Sequence, residues 1–447
     1  MNVGGTLIAG PAKGALKGCV TVPGDKSMSH RAVMLASLAD GVTEIHGFLP
    51  GEDNLATAQM FVDMGVTIEW LNDTKTSLRV HGVGLHGLKA PTKMLDAGNS
   101  GTCVRLMAGV LAGQNFSSTM TGDASLCKRP MKRVVDPIRR MGAHVDGGNL
   151  LPLTINANPV HGASLKAIHH VSEVASAQVK SCVLLAALYA EGETTVKEPR
   201  PTRDHTERML PLFGQAVEVD GDGVIHLNPV GHLTAPKEPV YIPADPSSAT
   251  FFAVAASLVP GSDVTLERIG MNPLRNGWSR ILADMSGSLS LENEDLVGKE
   301  SVADIHVVAT ELQGVHVNPA DVPDAIDEFP VLFAAASLAE GEFLLTEAEE
   351  LRVKESDRIA VMAKALVAAG AKIEEFADGA RIHGGVLRGD CTVDAQGDHR
   401  IAMAMAVAAQ CAEHDIVIEN AAAIATSFPS FVDLATQLGM NVHWQED

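Results

Sequence analysis

The chain has 447 residues, 46% of them hydrophobic and 20% charged, with a formal net charge of −21. That length is past the size at which one core keeps growing, which points to two domains with ample apolar content for a soluble globular protein. The acidic balance and the 4% aromatic content argue against a nucleic-acid partner, because phosphate backbones need basic surfaces and single strands need stacking rings.

Six copies of one pattern follow each other along the chain. One half of the pattern is an Ala-rich apolar run, usually followed by an acidic-glycine turn and a β-rich stretch. It occurs at Arg31–Phe48, Val104–Met120, Val179–Val196, Phe251–Leu266, Pro330–Leu345 and Ile401–Ile418. The other half is a helix-like run ending in glycine or serine and then a short strand. It occurs at Met60–Trp70, Val134–Val145, Met209–Val219, Ile281–Leu291, Met362–Ile373 and Leu434–Trp444. The turns at Gly41, Gly113, Gly192, Gly261 and Gly341 lie 72, 79, 69 and 80 residues apart. That period is too long for the common solenoids, so the pattern predicts a closed α/β arrangement of three copies per domain. The six cysteines are scattered without a C-x-x-C pair, which argues against a disulfide framework or zinc site and for a reducing cytoplasm. The N-terminus has no signal-peptide or transit-peptide pattern, and no apolar run reaches membrane-span length.

Lys26, Arg31, Arg105, Arg129, Arg203, Lys354, Arg358 and Arg400 fall at or near predicted helix starts. A helix start carries unpaired N–H groups and about half a positive charge, so a cation there opposes helix stability. Repeated across the copies, the misplacement suggests helix starts that converge on an anionic ligand. In Pro23–Arg31, Asp25 or Ser27 suits a cap, and Ser27 and Arg31 share one helical face. In Gly98–Thr102, Asn99 or Thr102 suits a cap while the glycines allow close backbone approach; a plain structural turn reads almost equally well. Arg129 precedes Pro130, which suits a first helical turn. Ser176-Ala177-Gln178 and Arg203-Asp204-His205 read as caps or as ligand contacts, and Cys127 reads as a bystander thiol. Asp245–Ser248 has caps but no cation and reads as structural. Asp324 precedes Asp327 and Glu328, and those two read as acids complementing a helix dipole. Arg352–Arg358 is a dense charge run heading an apolar stretch, as is Asp398-His399-Arg400.

Taken together, PGDKSMSHR, LDAGNSGT, KRPM, SAQVKS, TRDHTE, VPDAIDEFP, RVKESDR and GDHRIAMA, in this order over nearly the whole chain, resemble the 5-enolpyruvylshikimate-3-phosphate synthase family of enolpyruvyl transferases. The SAQ and TRDHTE forms are similar to a bacterial branch often tolerant of glyphosate. The resemblance implies an α/β fold of two inside-out α/β barrels, each of three βαβαββ repeats. One domain would hold residues 1–22 and 244–447, the other 23–243, with the active site in the cleft between them. It implies a 3-phosphoshikimate 1-carboxyvinyltransferase of the shikimate pathway, in chorismate and aromatic amino-acid biosynthesis. Such an enzyme transfers the enolpyruvyl group of phosphoenolpyruvate to the 5-hydroxyl of shikimate 3-phosphate, without metal or organic cofactor. A cytoplasmic monomer, closed by its anionic ligands and inhibited by glyphosate in competition with phosphoenolpyruvate, is expected.

Carried over motif by motif, Lys26, Ser27, Arg31, Ser176, Ala177 (through its backbone), Gln178, Arg203, Asp324 and Lys354 would hold shikimate 3-phosphate. Lys26, Asn99, Gly101, Arg129, Gln178, Arg358 and Arg400 would surround phosphoenolpyruvate. Lys26, Asp324 and Glu355 would be catalytic, Asp324 taking the 5-hydroxyl proton and Lys26 and Glu355 serving carbon. Thr426 stands where one branch carries a lysine, Glu350 near a phosphate-binding asparagine, and Leu106 where some relatives carry proline. The rivals are UDP-N-acetylglucosamine enolpyruvyl transferase, for which Cys127 lies too near Arg129; an RNA-terminal cyclase, against which the charge counts; and a repeat scaffold without chemistry.

Overall fold

The computed structural model describes residues 5–157 and 164–445. The chain divides into two compact units, Met1–Pro23 with Pro243–Asp447, and Gly24–Ile242. Each unit has its own apolar core.

In the Gly24–Ile242 unit one sheet plan occurs three times. In the second copy Leu95–Asp96 runs parallel to Ser118–Thr121, which pairs antiparallel with Leu153–Asn156, and that strand pairs with His144–Asp146. The third copy repeats the plan with His169–Val171, Thr194–Lys197, Val224–Leu227 and Glu218–Val219. The first copy lacks a local parallel strand. Leu233–Thr234 and Val240–Tyr241, from the far end of the unit, pair with Ala39–His46 instead. Borrowing that strand joins the last copy to the first.

The other unit is closed by its N-terminal segment. Lys17–Val20 is the parallel partner of Asp263–Gly270, and Leu7–Ala9 lies between Ile416–Glu419 and Val442–Trp444. One short stretch thus completes both the first and the last sheet of the unit. What closes in each unit is the order of copies, because the strands form separate small sheets rather than one hydrogen-bonded barrel.

Helices occupy the inside of both units. Pro246–Leu258, Phe329–Leu338 and His399–Ala409 are buried over almost every residue, as are Lys26–Leu38, Gly101–Ala112 and Ala177–Ala187. Helices apolar all round have no solvent face and must be surrounded, whereas strands such as Val224–Leu227 alternate between buried and less buried residues. Four of the five matching glycines adopt positive φ: Gly41, Gly192, Gly261 and Gly341. Gly113 does not, and its requirement is spatial, since an added Cβ would sit 2.1 Å from the Tyr189 ring. The helix expected at the head of Met209–Val219 lies earlier and is short, His205–Met209, followed by a 3-10 turn at Leu210–Phe213. Pro211 supplies no N–H to continue the helix. No helix of the described residues is long and apolar enough to cross a membrane.

Candidate active-site clusters

Within the Gly24–Ile242 unit the motif residues form several hydrogen-bonded groups at neighbouring helix starts. Asp25 caps the first core helix, its carboxylate accepting from Met28 N at 2.8 Å, so Ser27 is not the cap. Lys26, the first helical residue, ion-pairs with Asp53 at 2.6 Å. Arg31 is buried, and its guanidinium stitches three segments together. Nε donates to Thr206 Oγ1 and Nη2 to Ser181 Oγ, each at 2.7 Å, while Nη1 donates to Ser27 O at 2.9 Å. His30 beside it is held well below the usual histidine range by burial, reinforced by Lys26 and Arg31.

At Gly98–Thr102 the cap is Ser100, accepting from Cys103 N at 3.1 Å, rather than Asn99 or Thr102. This leaves both expected caps for other work. Asn99 Oδ1 accepts from Arg129 Nη2 at 2.7 Å and Asn99 Nδ2 donates to Asp123 at 2.7 Å. Thr102 accepts from Gln178 Nε2 at 3.0 Å, and Gln178 Oε1 in turn accepts from Arg105 Nη1 at 2.6 Å. A Cβ on Gly101 would lie 2.9 Å from Arg105 Nη1 and 3.4 Å from Arg129 Nη1. Glycine therefore lets two guanidinium groups crowd the helix start. Pro130 does not open the next helix, which begins at Lys132; it supplies a carbonyl to Arg105 at 3.3 Å.

Helices Gly101–Ala112 and Ala177–Ala187 run side by side in the same direction. Arg105 meets Gln178 near both starts, and one turn further a Cβ on Gly109 would be 2.2 Å from Cys182 O. Their positive ends are therefore neighbours, each worth about half a charge. Ser176 caps the second of them at 3.5 Å and Ala177 is its first residue. Glu198 ties that cap to the next loop, accepting from Ser176 N at 3.3 Å, from Thr202 N at 3.3 Å and from Thr202 Oγ1 at 2.7 Å. The buried Lys180 bridges Glu198 and Glu207, both at 2.9 Å. Burial disfavours its charge, but the two carboxylates outweigh that and raise its pKa; burial likewise raises Glu207. Arg203, half-buried, lies on the loop this network fixes.

The second cluster, in the Met1–Pro23 with Pro243–Asp447 unit, centres on Arg358, buried at the first position of its helix. Its Nε donates to Asp398 at 2.9 Å, Nη1 to Asp327 at 3.0 Å and Nη2 to Glu355 at 2.5 Å. Burial works against its charge, yet Asp398, Glu355 and Asp327 together raise its pKa above the ordinary guanidinium value. Lys354 stands 3.9 Å from Asp327. Arg400 Nη1 donates to Asp327 O at 2.7 Å and to Glu328 Oε1 at 3.4 Å. Asp324 accepts from Arg280 Nη2 at 2.7 Å.

Two readings of the sequence need correction here. Asp327 and Glu328 do more than complement a dipole: they bind Arg358 and Arg400, and Glu328 also accepts from Ser247 Oγ. The copy at Asp245–Ser248 does have a cation. Arg275, from the following loop, is buried against Asp245 at 3.1 Å and Ser247 Oγ at 2.6 Å. Thr426 supplies no charge; its hydroxyl donates to Ala423 O at 2.7 Å. Leu106 is buried inside a regular helix. Sequence reasoning assigned no site role to Arg105, Asp53, Asp123, Glu198 or Arg280. Only Arg105 had a signal there, as one of the basic residues at helix starts. Among the described residues no group of three or more His, Cys, Asp or Glu side chains is placed to hold a metal ion.

Comparison with known proteins converges on one family. The family model described as EPSP synthase (3-phosphoshikimate 1-carboxyvinyltransferase) matches residues 11–434. The 3-phosphoshikimate 1-carboxyvinyltransferase of Methylococcus capsulatus is 52% identical over 436 residues, 97% of each chain. That of Acidithiobacillus ferrooxidans is 54% identical over 428 residues, 95% of this chain and 96% of its own. A solved EPSP synthase from Acinetobacter baumannii superposes with a TM-score of 0.87 at 46% identity, covering 99% of this chain and 100% of that one.

Proposed function

The chain belongs to the EPSP synthase family, the 3-phosphoshikimate 1-carboxyvinyltransferases, and from that premise we propose that it transfers the enolpyruvyl group of phosphoenolpyruvate to the 5-hydroxyl of shikimate 3-phosphate. The new C–O bond forms at C2 of phosphoenolpyruvate while its methylene carbon takes a proton. Loss of phosphate from C2 and of a proton from the methyl carbon so formed then restores the vinyl group. Both substrates are multiply anionic, so the protein's task is to supply preorganised cations and N–H dipoles, which are worth far more away from bulk water.

Arg31, Ser27, Ser176, Gln178, Arg203 and Lys354 hold shikimate 3-phosphate, and Ala177 contributes its backbone. Arg129, Asn99, Gly101, Gln178, Arg358 and Arg400 receive phosphoenolpyruvate, with Lys26 serving both. Asp324 accepts the 5-hydroxyl proton, and Lys26 and Glu355 move protons to and from carbon. The observation that supports this most directly is the gathering of three bonded groups at adjacent helix starts, Arg129 on Asn99, Arg105 on Gln178 and Arg31 on Ser181, which collects anion-binding groups in one unit. The six cysteines are free thiols, as in a reducing compartment, and we read the protein as a cytoplasmic monomer.

The decisive assay is phosphate release from phosphoenolpyruvate that depends on shikimate 3-phosphate. Release that depends instead on UDP-N-acetylglucosamine would overturn the assignment. Lys26→Ala and Glu355→Ala should each lower turnover by roughly two orders of magnitude, the usual weight of a proton-transfer group. A Glu355→Ala enzyme with near-normal turnover would remove that residue from the chemistry.

A further inference from the structure

Asp324 lies in the 3-10 turn Pro323–Ala325, and the helix Gly277–Asp284 packs directly on that turn. Contact this close needs glycine. A Cβ at Gly277 would stand 2.7 Å from Asp321 O, 2.9 Å from Ala325 N and 2.9 Å from the Asp324 carbonyl carbon. One helical turn on, Arg280 reaches over both acids. Its Nη2 donates to Asp324 Oδ2 at 2.7 Å and its Nε to Asp321 Oδ1 at 2.5 Å, while Nη1 reaches Pro273 O at 3.5 Å. The two carboxylate side chains are 15% and 14% exposed, the guanidinium 43%.

We infer that Arg280 is a positioning residue for the proton acceptor: braced on Asp321, its planar fork fixes the orientation of the Asp324 carboxylate and keeps it charged. The inference rests on the reading of Asp324 as acceptor of the 5-hydroxyl proton. A lone carboxylate on a short turn has rotational freedom, and a fork held at two points removes it. The other charged groups on the packed elements are engaged elsewhere or stand apart. Arg275 binds Asp245 and Ser247, Asp327 binds Arg358, Glu328 binds Arg400 and Ser247, and Asp284 is exposed at the far end of the helix. Arg280 places its charge 2.7 Å from Asp324 Oδ2, so its loss is one that Asp324 should register.

The test compares Arg280→Gln, Arg280→Lys and Asp324→Asn by steady-state kinetics against pH. Arg280→Gln should lower kcat about tenfold with KM for phosphoenolpyruvate nearly unchanged. The acid limb of its kcat/KM profile should move to higher pH, because a carboxylate that loses an opposite charge takes up its proton more readily. Arg280→Lys keeps the charge without the fork, so it should restore the limb and only part of kcat. An Arg280→Gln enzyme whose acid limb does not move, whatever its kcat or Tm, would overturn the inference and leave Arg280 a structural residue. Asp324→Asn separates the two claims. If it is inactive while Arg280→Gln behaves as wild type, only the clamp fails; if it stays active, the acceptor reading fails and the clamp with it.

Discussion

Replacing Arg358 by methionine keeps most of the side-chain volume and removes the one guanidinium that bonds Asp327, Glu355 and Asp398 together. Asp398 is fully buried, and Arg358 itself is 2% exposed. Removing one partner from a buried ionic group costs about 3–5 kcal/mol, because the remaining charge stays desolvated without compensation. Asp398 is the acid left fully buried, while Glu355 and Asp327 are 23% and 15% exposed and Lys354 stands 3.9 Å from Asp327, so the lower part of that range applies. Against a usual stability of about 5–15 kcal/mol, this is a large fraction, though the fold should survive. The sign of the pH dependence is fixed by the same argument. Acidification neutralises the stranded acids, so the deficit should be greatest near neutral pH and shrink as the pH falls towards about 4–5, where carboxylates protonate. The assay is urea denaturation of wild type, Arg358→Met and Arg358→Lys over that range. Lysine should recover part of the loss, since an ammonium cannot serve three acids with the geometry of a fork. A loss below about 1 kcal/mol that does not vary with pH would refute the claim that Arg358 is the counter-charge of this cluster; surface pairs have such small values.

The buried His30 predicts a second pH effect. Its folded pKa is lowered, by burial first and then by Lys26 and Arg31, so the unfolded chain takes up a proton that the folded one refuses. Stability should therefore fall as pH drops below about 6.5, by up to about 1.4 kcal/mol per pH unit for this group, and be unaffected by it above that pH. His30→Phe should flatten the slope, and an unchanged slope would exclude His30 as its source. Gly109→Ala places a methyl 2.2 Å from Cys182 O, so the two parallel helices must separate. Overpacking of this kind costs about 1–3 kcal/mol, read as a lower Tm, and the shift at Arg105 and Gln178 should raise KM for phosphoenolpyruvate; an unaltered Tm would refute the close contact. Glyphosate should inhibit in competition with phosphoenolpyruvate, and inhibition independent of phosphoenolpyruvate concentration would contradict the placement of both anions at Gly101 and Arg129.

Much of this protein is local and was therefore readable in advance. The repeated helix-then-strand pattern depends on apolar periodicity and turn residues, and Phe251–Leu266 and Ile401–Ile418 do form a core helix followed by a strand. The concentration of cations near helix starts is likewise a matter of residue order, and Lys26, Arg358 and Arg400 do fall in the first or second position of their helices. Local order could not say which polar neighbour would cap a helix. Asn99, Ser100 and Thr102 are equally good chemical candidates, and the choice of Ser100 released the other two for Arg129 and Gln178.

Tertiary structure decided the pairings that span long stretches of chain. Leu7–Ala9 completes a sheet with strands more than four hundred residues away, because a sheet edge accepts any strand that reaches it with the right pattern. Arg275 enters a helix start that had seemed to lack a cation, Arg280 lies over Asp324, and Asp327 and Glu328 turn from dipole acids into partners of buried arginines. Each depends on where a side chain's end arrives after two elements have packed, and periodicity along one element carries no information about that distance. The sequence by itself determined the elements, their order and the kind of charge at their ends. Which charge meets which was decided by packing, since Coulomb energy depends on separation in space.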